Sequence, residues 1–559
     1  MRKFLPTDFT LTKWEDLQPF IAILQQYPVE TKADLLDFLS KRSEFDAFLS
    51  ENMAWRYIKM SCDTSQPELE QSYNFFVQKI QPKLSPLANE LNKKVAQSPA
   101  VDELGQDFQP YLQSLKSSIE IFRDENVPIF TRLETNETQY GKQASQMNIE
   151  WENKKITLQQ ASLLLKENDR DTREQAYRKI AATRLTQKEF FDDLFDTLLK
   201  DRIQVAQNAG FANFRDYMFV AMDRFDYTPQ DCENFWESVK KNLVPIQKEI
   251  LEKRRTALNL DTLKPWDLSV DVSGQPPLKP FENTTELVNK TIQGFGQLNP
   301  KFAQFITEQR DRKHLDLESR PHKHPGGYNY PLAECGIPFI FMNAVGSHRD
   351  LDTMVHEGGH AIHSFLCRDL PFNFMKNTGM EVAELASMSM ELFSISFLDL
   401  FYSQDEIKRA VTEKIEDAIY SLIWIAQVDK FQHWIYTNPN HTAEERNDQW
   451  RAISEEFSTH MVDTSEFEEN KRIAWQSQLH IFEVPFYYIE YGFAQLGAIA
   501  NWKNFEANPA KTIQQYEDFM ALGNTRSIPE LYEASGIKFD FSETYIKELA
   551  DFLVQKLGK

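Results

Sequence analysis

His356-Glu357-Gly358-Gly359-His360 lies between Asp350-Leu351-Asp352-Thr353-Met354-Val355 and Ala361-Ile362-His363-Ser364-Phe365-Leu366. Leu351, Met354, Val355, Ile362, Phe365 and Leu366 recur at threes, fours and sevens, which predicts a helix with one buried stripe. Pro371 is expected to stop it, because proline lacks an N–H and clashes with the preceding turn. On such a helix, two histidines four apart project from one face, about 5.4 Å apart along the axis. Two neutral imidazoles so placed can hold one Zn²⁺, and Glu357 between them can take a proton from water at the ion. Only 11 of the 559 residues are histidine, so chance seldom produces the pattern. Two adjacent glycines inside a helix cost about 1 kcal/mol each against alanine. Another backbone is therefore expected to come close there, either a packed helix or a bound peptide.

A catalytic zinc needs a third protein ligand and an open position. Downstream, Met380-Glu381-Val382-Ala383-Glu384-Leu385-Ala386-Ser387-Met388-Ser389-Met390-Glu391-Leu392-Phe393 reads as a second helix, rich in strong helix formers. Glu384, Met388 and Glu391 share one of its faces. Glu384 is the expected third ligand, with Glu381 as its rival. His363 lies on the face of His356 but two turns on, roughly 10 Å along the axis, too far to share the ion. It is expected to support the site or simply to pack. Asp352, one turn before His356, could take the other ring N–H of that histidine or lie at the surface.

These residues carry a resemblance. The five-residue motif, Glu384-Leu385-Ala386-Ser387 and Glu391 together resemble the thimet oligopeptidase and oligoendopeptidase F family of zinc peptidases. Asp316-Leu317 and Arg320 with Gly326-Gly327-Tyr328 look like that family's segment before the zinc helix, and residues 337–343 like its substrate-binding edge strand. Residues 480–493, His480-Ile481-Phe482-Glu483-Val484-Pro485-Phe486-Tyr487-Tyr488-Ile489-Glu490-Tyr491-Gly492-Phe493, look like its C-terminal histidine–tyrosine segment. The match runs from about residue 161 to near the C-terminus and is closest to the oligoendopeptidase F branch. It implies a mainly α fold, two helical lobes flanking a deep substrate channel, and a small β-sheet near the zinc helix. It also implies one zinc ion held by His356, His360 and Glu384, with Glu357 as general base. His480 and tyrosines among Tyr487, Tyr488 and Tyr491 would assist the transition state, and the sequence leaves open which of the three acts.

Acidic residues outnumber basic ones 84 to 62, a net charge of −22. Such a chain is repelled by nucleic-acid backbones and anionic lipid surfaces, and no basic stripe offsets this. Aromatic residues make up 13% of the chain, including 42 phenylalanines, which favours a large packed core. Cys62, Cys232, Cys335 and Cys367 are scattered, with no C-x-x-C. That argues for a reducing compartment and against both a disulfide framework and thiol ligation of a metal. The N-terminus lacks an apolar signal core, and no apolar run reaches the roughly 18 residues of a membrane helix. A soluble cytoplasmic protein acting on oligopeptides is expected, with no nucleic-acid or membrane partner. The oligomeric state is left open.

Helical periodicity dominates residues 69–91, 161–207, 229–258, 285–309 and 404–436. Residues 1–158 are expected to form an N-terminal helical lobe, closed by a short hairpin at residues 147–156. Residues 159–559 then form a zincin-like metallopeptidase catalytic region. Residues 261–281 and 317–330 read as long loops, the second carrying His322 and His324 as solvated side chains. Residues 336–343, Gly336-Ile337-Pro338-Phe339-Ile340-Phe341-Met342-Asn343, form the clearest strand, which Pro338 is expected to confine to a sheet edge. Such an edge can pair with an extended peptide of any sequence. A helical zinc carboxypeptidase is the second enzymatic reading, with Arg320 or Arg349 as anchor for a terminal carboxylate. A peptide-binding protein with an idle motif is the non-enzymatic one.

Overall fold

The computed structural model describes residues 2–558. In chain order, the elements that place the site begin with α1 (Lys32–Cys62), α2 (Val127–Gln146) and the hairpin β1 (Asn148–Trp151) and β2 (Lys154–Thr157). Next come α3 (Lys188–Asn208), α4 (Pro229–Ala257), α5 (Thr284–Leu298), β3 (Leu315–Glu318), β4 (Tyr328–Tyr330) and β5 (Phe339–Ala344). The last four are α6 (His348–Cys367), α7 (Met380–Phe393), α8 (Gln404–Thr437) and α9 (Tyr488–Ala507). The fold is mainly α, and every segment with a helical period is built of helices, broken at residues 167–169, 186–187 and 299. Residues 69–91 contain a π turn, Phe76–Ile80, just before Pro82, which has no N–H to continue the α ladder. At the hairpin, Glu152 and Asn153 have φ of 50° and 62°, the twist a two-residue turn needs. Among the described residues, no helix is long and apolar enough to cross a membrane.

Two large apolar clusters organise the chain. One is built from residues 5–115 with Phe372 and Met375. The larger begins at Ile129, Leu133 and Tyr140 on α2, which pack against α3, and runs through the rest of the chain. The clusters divide between Ile119 and Ile121, upstream of the lobe boundary expected at residue 158.

The sheet corrects two expectations. Strand order is β3-β5-β4, with β3 parallel and β4 antiparallel to β5. The strand read as an edge is therefore the central one. Pro338 lies one residue before β5, outside the ladder, so its missing N–H costs no sheet hydrogen bond. Alternation along β5 splits its side chains between two layers. Phe339 and Phe341 meet Ala54, Trp55 and Ile58 of α1, while Ile340 and Met342 enter the core that holds α6. Residues 317–330 are likewise not one loop: they hold the end of β3 and all of β4, with His322 and His324 exposed between them. The two outer edges belong to β3 and β4, and β4 is the one next to the site.

Helix α6 starts where Ser347 caps it, accepting the N–H of Asp350 while the Asp350 carboxylate accepts the N–H of Ser347. It ends at Cys367, ahead of Pro371. The glycine pair serves helix packing rather than a bound peptide. A Cβ on Gly359 would lie 2.6 Å from the Ser387 Cα and 2.9 Å from the Ala386 carbonyl oxygen of α7, and one on Gly358 would lie 2.7 Å from the Phe295 ring of α5. Backbone cannot move aside as a side-chain tip can. Gly359→Ala should therefore destabilise the protein by about 3 kcal/mol, the upper part of the usual range for overpacking. A urea midpoint unchanged from wild type would refute this account of the glycine.

Candidate active site

Helices α6 and α7, held together at Gly359, bring the expected ligands to one point. Glu384 Oε2 lies 3.4 Å from His356 Nε2 and 3.6 Å from His360 Nε2. Each of the three side chains can offer one donor atom, all within 4.8 Å of one another. Glu381, the rival, turns away: its carboxylate accepts the Tyr227 hydroxyl at 2.7 Å and is buried. Ser387 Oγ donates to Glu384 Oε2 at 3.0 Å, and the Tyr487 hydroxyl donates to Oε1 at 3.1 Å. The carboxylate is thus oriented from two sides.

Donor set and electrostatics both suit a divalent cation. Burial opposes charge on His356, but its hydrogen bond to Glu391 and the charges of Glu384, Glu391 and Glu357 outweigh this and push it up to about 10. A position that holds a positive charge so firmly is one where a cation is welcome. Burial and the neighbouring His356 push His360 well below its ordinary value, so its ring is neutral.

Asp352 does not take the second ring N–H of His356. Glu391 does, accepting from Nδ1 at 2.7 Å, so that Nε2, which faces the cluster, is the nitrogen that would give up its proton to an ion. Asp352 instead accepts from the buried Lys414 of α8 at 2.6 Å and lies 3.5 Å from His348. Lys414 also stands 3.9 Å from Glu391 and offsets its charge. Glu391 sits one face-repeat after Glu384 and was legible as a neighbour. Lys414 left no local signal, lying in a long helix far along the chain. His363 packs: its ring centroid is 6.3 Å from that of Phe519, and burial pushes it down to about 3.

Glu357 is buried, which pushes its carboxyl up to about 7, with His356 pulling it down and Glu384 pushing it up. The Asn329 backbone in β4 also acts on it. The general-base candidate therefore lies beside the β4 edge of the sheet.

The histidine–tyrosine segment approaches from the other side. Trp424 Nε1–H donates to Gln478 Oε1 at 2.8 Å, so the Gln478 amide must present its NH₂ to His480 Nδ1, 2.7 Å away. Burial pushes His480 down to about 4, so the ring is neutral and its proton is on Nε2. Neither Trp424 nor Gln478 stood out in the sequence. Tyr487 and Tyr491 are neighbours, with ring centroids 5.2 Å apart, and burial together with Glu384 raises both phenols far above their ordinary range. Tyr488 faces Gln478 and Trp424. Phe486, just before Tyr487, has φ of 69°, a left-handed conformation that costs a bulky residue energy. Its N–H donates to Gln432 Oε1 at 2.8 Å, and its carbonyl accepts from Arg224, which pairs with Glu490 at 2.9 Å.

The family model for peptidase family M3 matches residues 163–551, and that for the M3 N-terminal domain matches residues 4–122. The chain belongs to peptidase family M3. It is 22% identical over 322 residues to oligopeptidase PepF of Bacillus subtilis, covering 55% of this chain and 45% of that protein. It is 24% identical over 379 residues to an oligoendopeptidase F homolog of Borreliella burgdorferi, covering 65% and 61%. The matched segments thus span less than two thirds of these relatives. The fold matches the solved structure of PZ peptidase A with inhibitor 2 at a TM-score of 0.92, with 24% identity over 100% of this chain and 99% of that one.

Proposed function

We propose that this M3 protein is a zinc-dependent endopeptidase that hydrolyses peptide bonds in short oligopeptides within a channel between its helical lobes. The observation that carries the reading is the convergence of His356 Nε2, His360 Nε2 and Glu384 Oε2, with the Glu357 carboxyl beside them and an open strand edge next to it. His356, His360 and Glu384 would hold the ion. When bound, it supplies Lewis acidity, polarising the scissile carbonyl and lowering the pKa of water. Glu357 takes the proton of the attacking water and passes it to the leaving amine. The edge of β4 holds the substrate extended through main-chain hydrogen bonds, which a peptide of any side-chain sequence can make. Tyr491 and the Nε2–H of His480 are the neutral donors available to the developing oxyanion, and Tyr487 joins them by turning its hydroxyl from Glu384 to the substrate.

Of the two anchors a carboxypeptidase could use, Arg320 is not free to hold a terminal carboxylate, which leaves it the exposed Arg349. Both terminal nitrogens of Arg320 already bond Asp316, at 2.5 and 2.7 Å. Internally quenched peptides with both ends blocked test the endopeptidase reading. They should be cleaved, with cleavage stopped by a chelator and restored by Zn²⁺. Release of only the last residue from peptides with free C-termini would overturn it.

Among the tyrosines, Tyr487→Phe should lower kcat by about 10² with little change in KM, as loss of one oxyanion donor does. Tyr488→Phe should stay within a few fold of wild type, since its hydroxyl faces Gln478 and Trp424. Steady-state kinetics of the two variants on one blocked peptide would reveal a reversed order.

A further inference from the structure

Cys232 on α4 and Asp429 and His433 on α8 form a second cluster, with one donor atom from each within 4.8 Å of the others. All three are buried, at 0%, 0% and 4% exposure. Asp429 and His433 are four apart on one helix face, the same spacing as the histidines of α6. Trp236 Nε1–H donates to Asp429 Oδ2 at 2.8 Å. Asp429 Oδ1 and both ring nitrogens of His433 make no hydrogen bond among the described residues, although His433 Nε2 stands 3.5 Å from Asp429 Oδ2. Burying such groups unpaired costs about 1–3 kcal/mol each, which a ligand between them would offset.

We propose that Cys232, Asp429 and His433 bind a second, structural metal ion, a thiophilic divalent cation of the zinc type. A thiolate, an imidazole and a carboxylate are the donors such ions select, and a water completes four-coordination. Burial keeps the Cys232 thiol protonated and pushes Asp429 up to about 7. Binding a dication therefore releases the Cys232 proton, and any on Asp429, to solvent, leaving the ion and two anionic ligands neutral overall. Arg224, paired with Glu490 and the Phe486 carbonyl, acts on all three side chains and favours the thiolate, the carboxylate and the neutral ring, the forms that ligate a metal. The ion would pin α4 to α8 beneath the tyrosine segment. The His433 ring lies edge-on to that of Phe486, centroids 5.5 Å apart, and Phe486 is the strained residue that sets Tyr487. The assignment does not rest on the peptidase reading, since it shares no ligand with the first cluster.

Cobalt separates the two sites, because a thiolate-to-cobalt charge-transfer band in the near ultraviolet requires a cysteine ligand and the first cluster has none. Full-length protein, stripped of metal in denaturant and refolded with excess Co²⁺ under reducing conditions, should retain two equivalents after dialysis and show that band. Cys232→Ala should retain one equivalent and lose the band. A crystal of the cobalt-loaded wild type should give an anomalous peak between Cys232, Asp429 and His433. A single equivalent without the band in the wild type would overturn the proposal, as would waters alone at that position. So would a band and second equivalent that persist in Cys232→Ala. The wild-type measurements decide even if the variant fails to fold.

Discussion

Glu357→Gln is expected to keep its full metal content and to lose turnover by a factor on the order of 10³ or more. The substitution is nearly isosteric, and Glu357 belongs to neither the donor set nor its hydrogen-bonded supports. It removes one property, the ability to accept a proton beside the ligand cluster. The amide can still sit against the Asn329 backbone, so folding and peptide binding should be spared. Metal analysis with kcat on a blocked peptide checks both halves. Retained metal with near-normal cleavage would show that another group takes the proton. Metal loss would show instead that Glu357 helps hold the ion.

What could be read without coordinates is what local periodicity fixes. His356, Glu357 and His360 lie about one turn apart, and Glu384 and Glu391 on one face of the next helix, so spacing grouped them but left Glu381 as a rival to Glu384. The same reasoning offered Asp352 either to His356 or to the surface, because on one helix a residue one turn back is the nearest candidate. Glu391 took that role across the helix pair, at the close approach that Gly359 allows, and Lys414 drew Asp352 away. Pro338 misled for a similar reason. Proline marks a position that cannot donate, but not whether the strand begins before or after it. The tautomer of His480 depends on Trp424, and the left-handed Phe486 on Arg224 and Gln432, all distant in sequence. Cys232 looked like an isolated thiol because its neighbours Asp429 and His433 are on another helix, far along the chain. Long-range pairings of this kind depend on packing and leave no periodic trace.

Glu384→Ala is expected to strip the metal on dialysis and, with it, activity by a factor on the order of 10³ or more, since two imidazoles on one helix make a weak site without a carboxylate. The loss should go beyond one ligand, because the Tyr487 hydroxyl that orients the carboxylate loses its acceptor, while Ser387 Oγ keeps only the Glu384 backbone carbonyl. Glu381→Gln is the matched control. That side chain is buried against Tyr227 and near Arg224, so its replacement should lower the melting temperature while metal content stays stoichiometric. The two carboxylates thus divide by consequence, one governing metal and the other governing stability. Stoichiometric metal in dialysed Glu384→Ala would move the third ligand elsewhere, and metal loss in Glu381→Gln at unchanged melting temperature would name it.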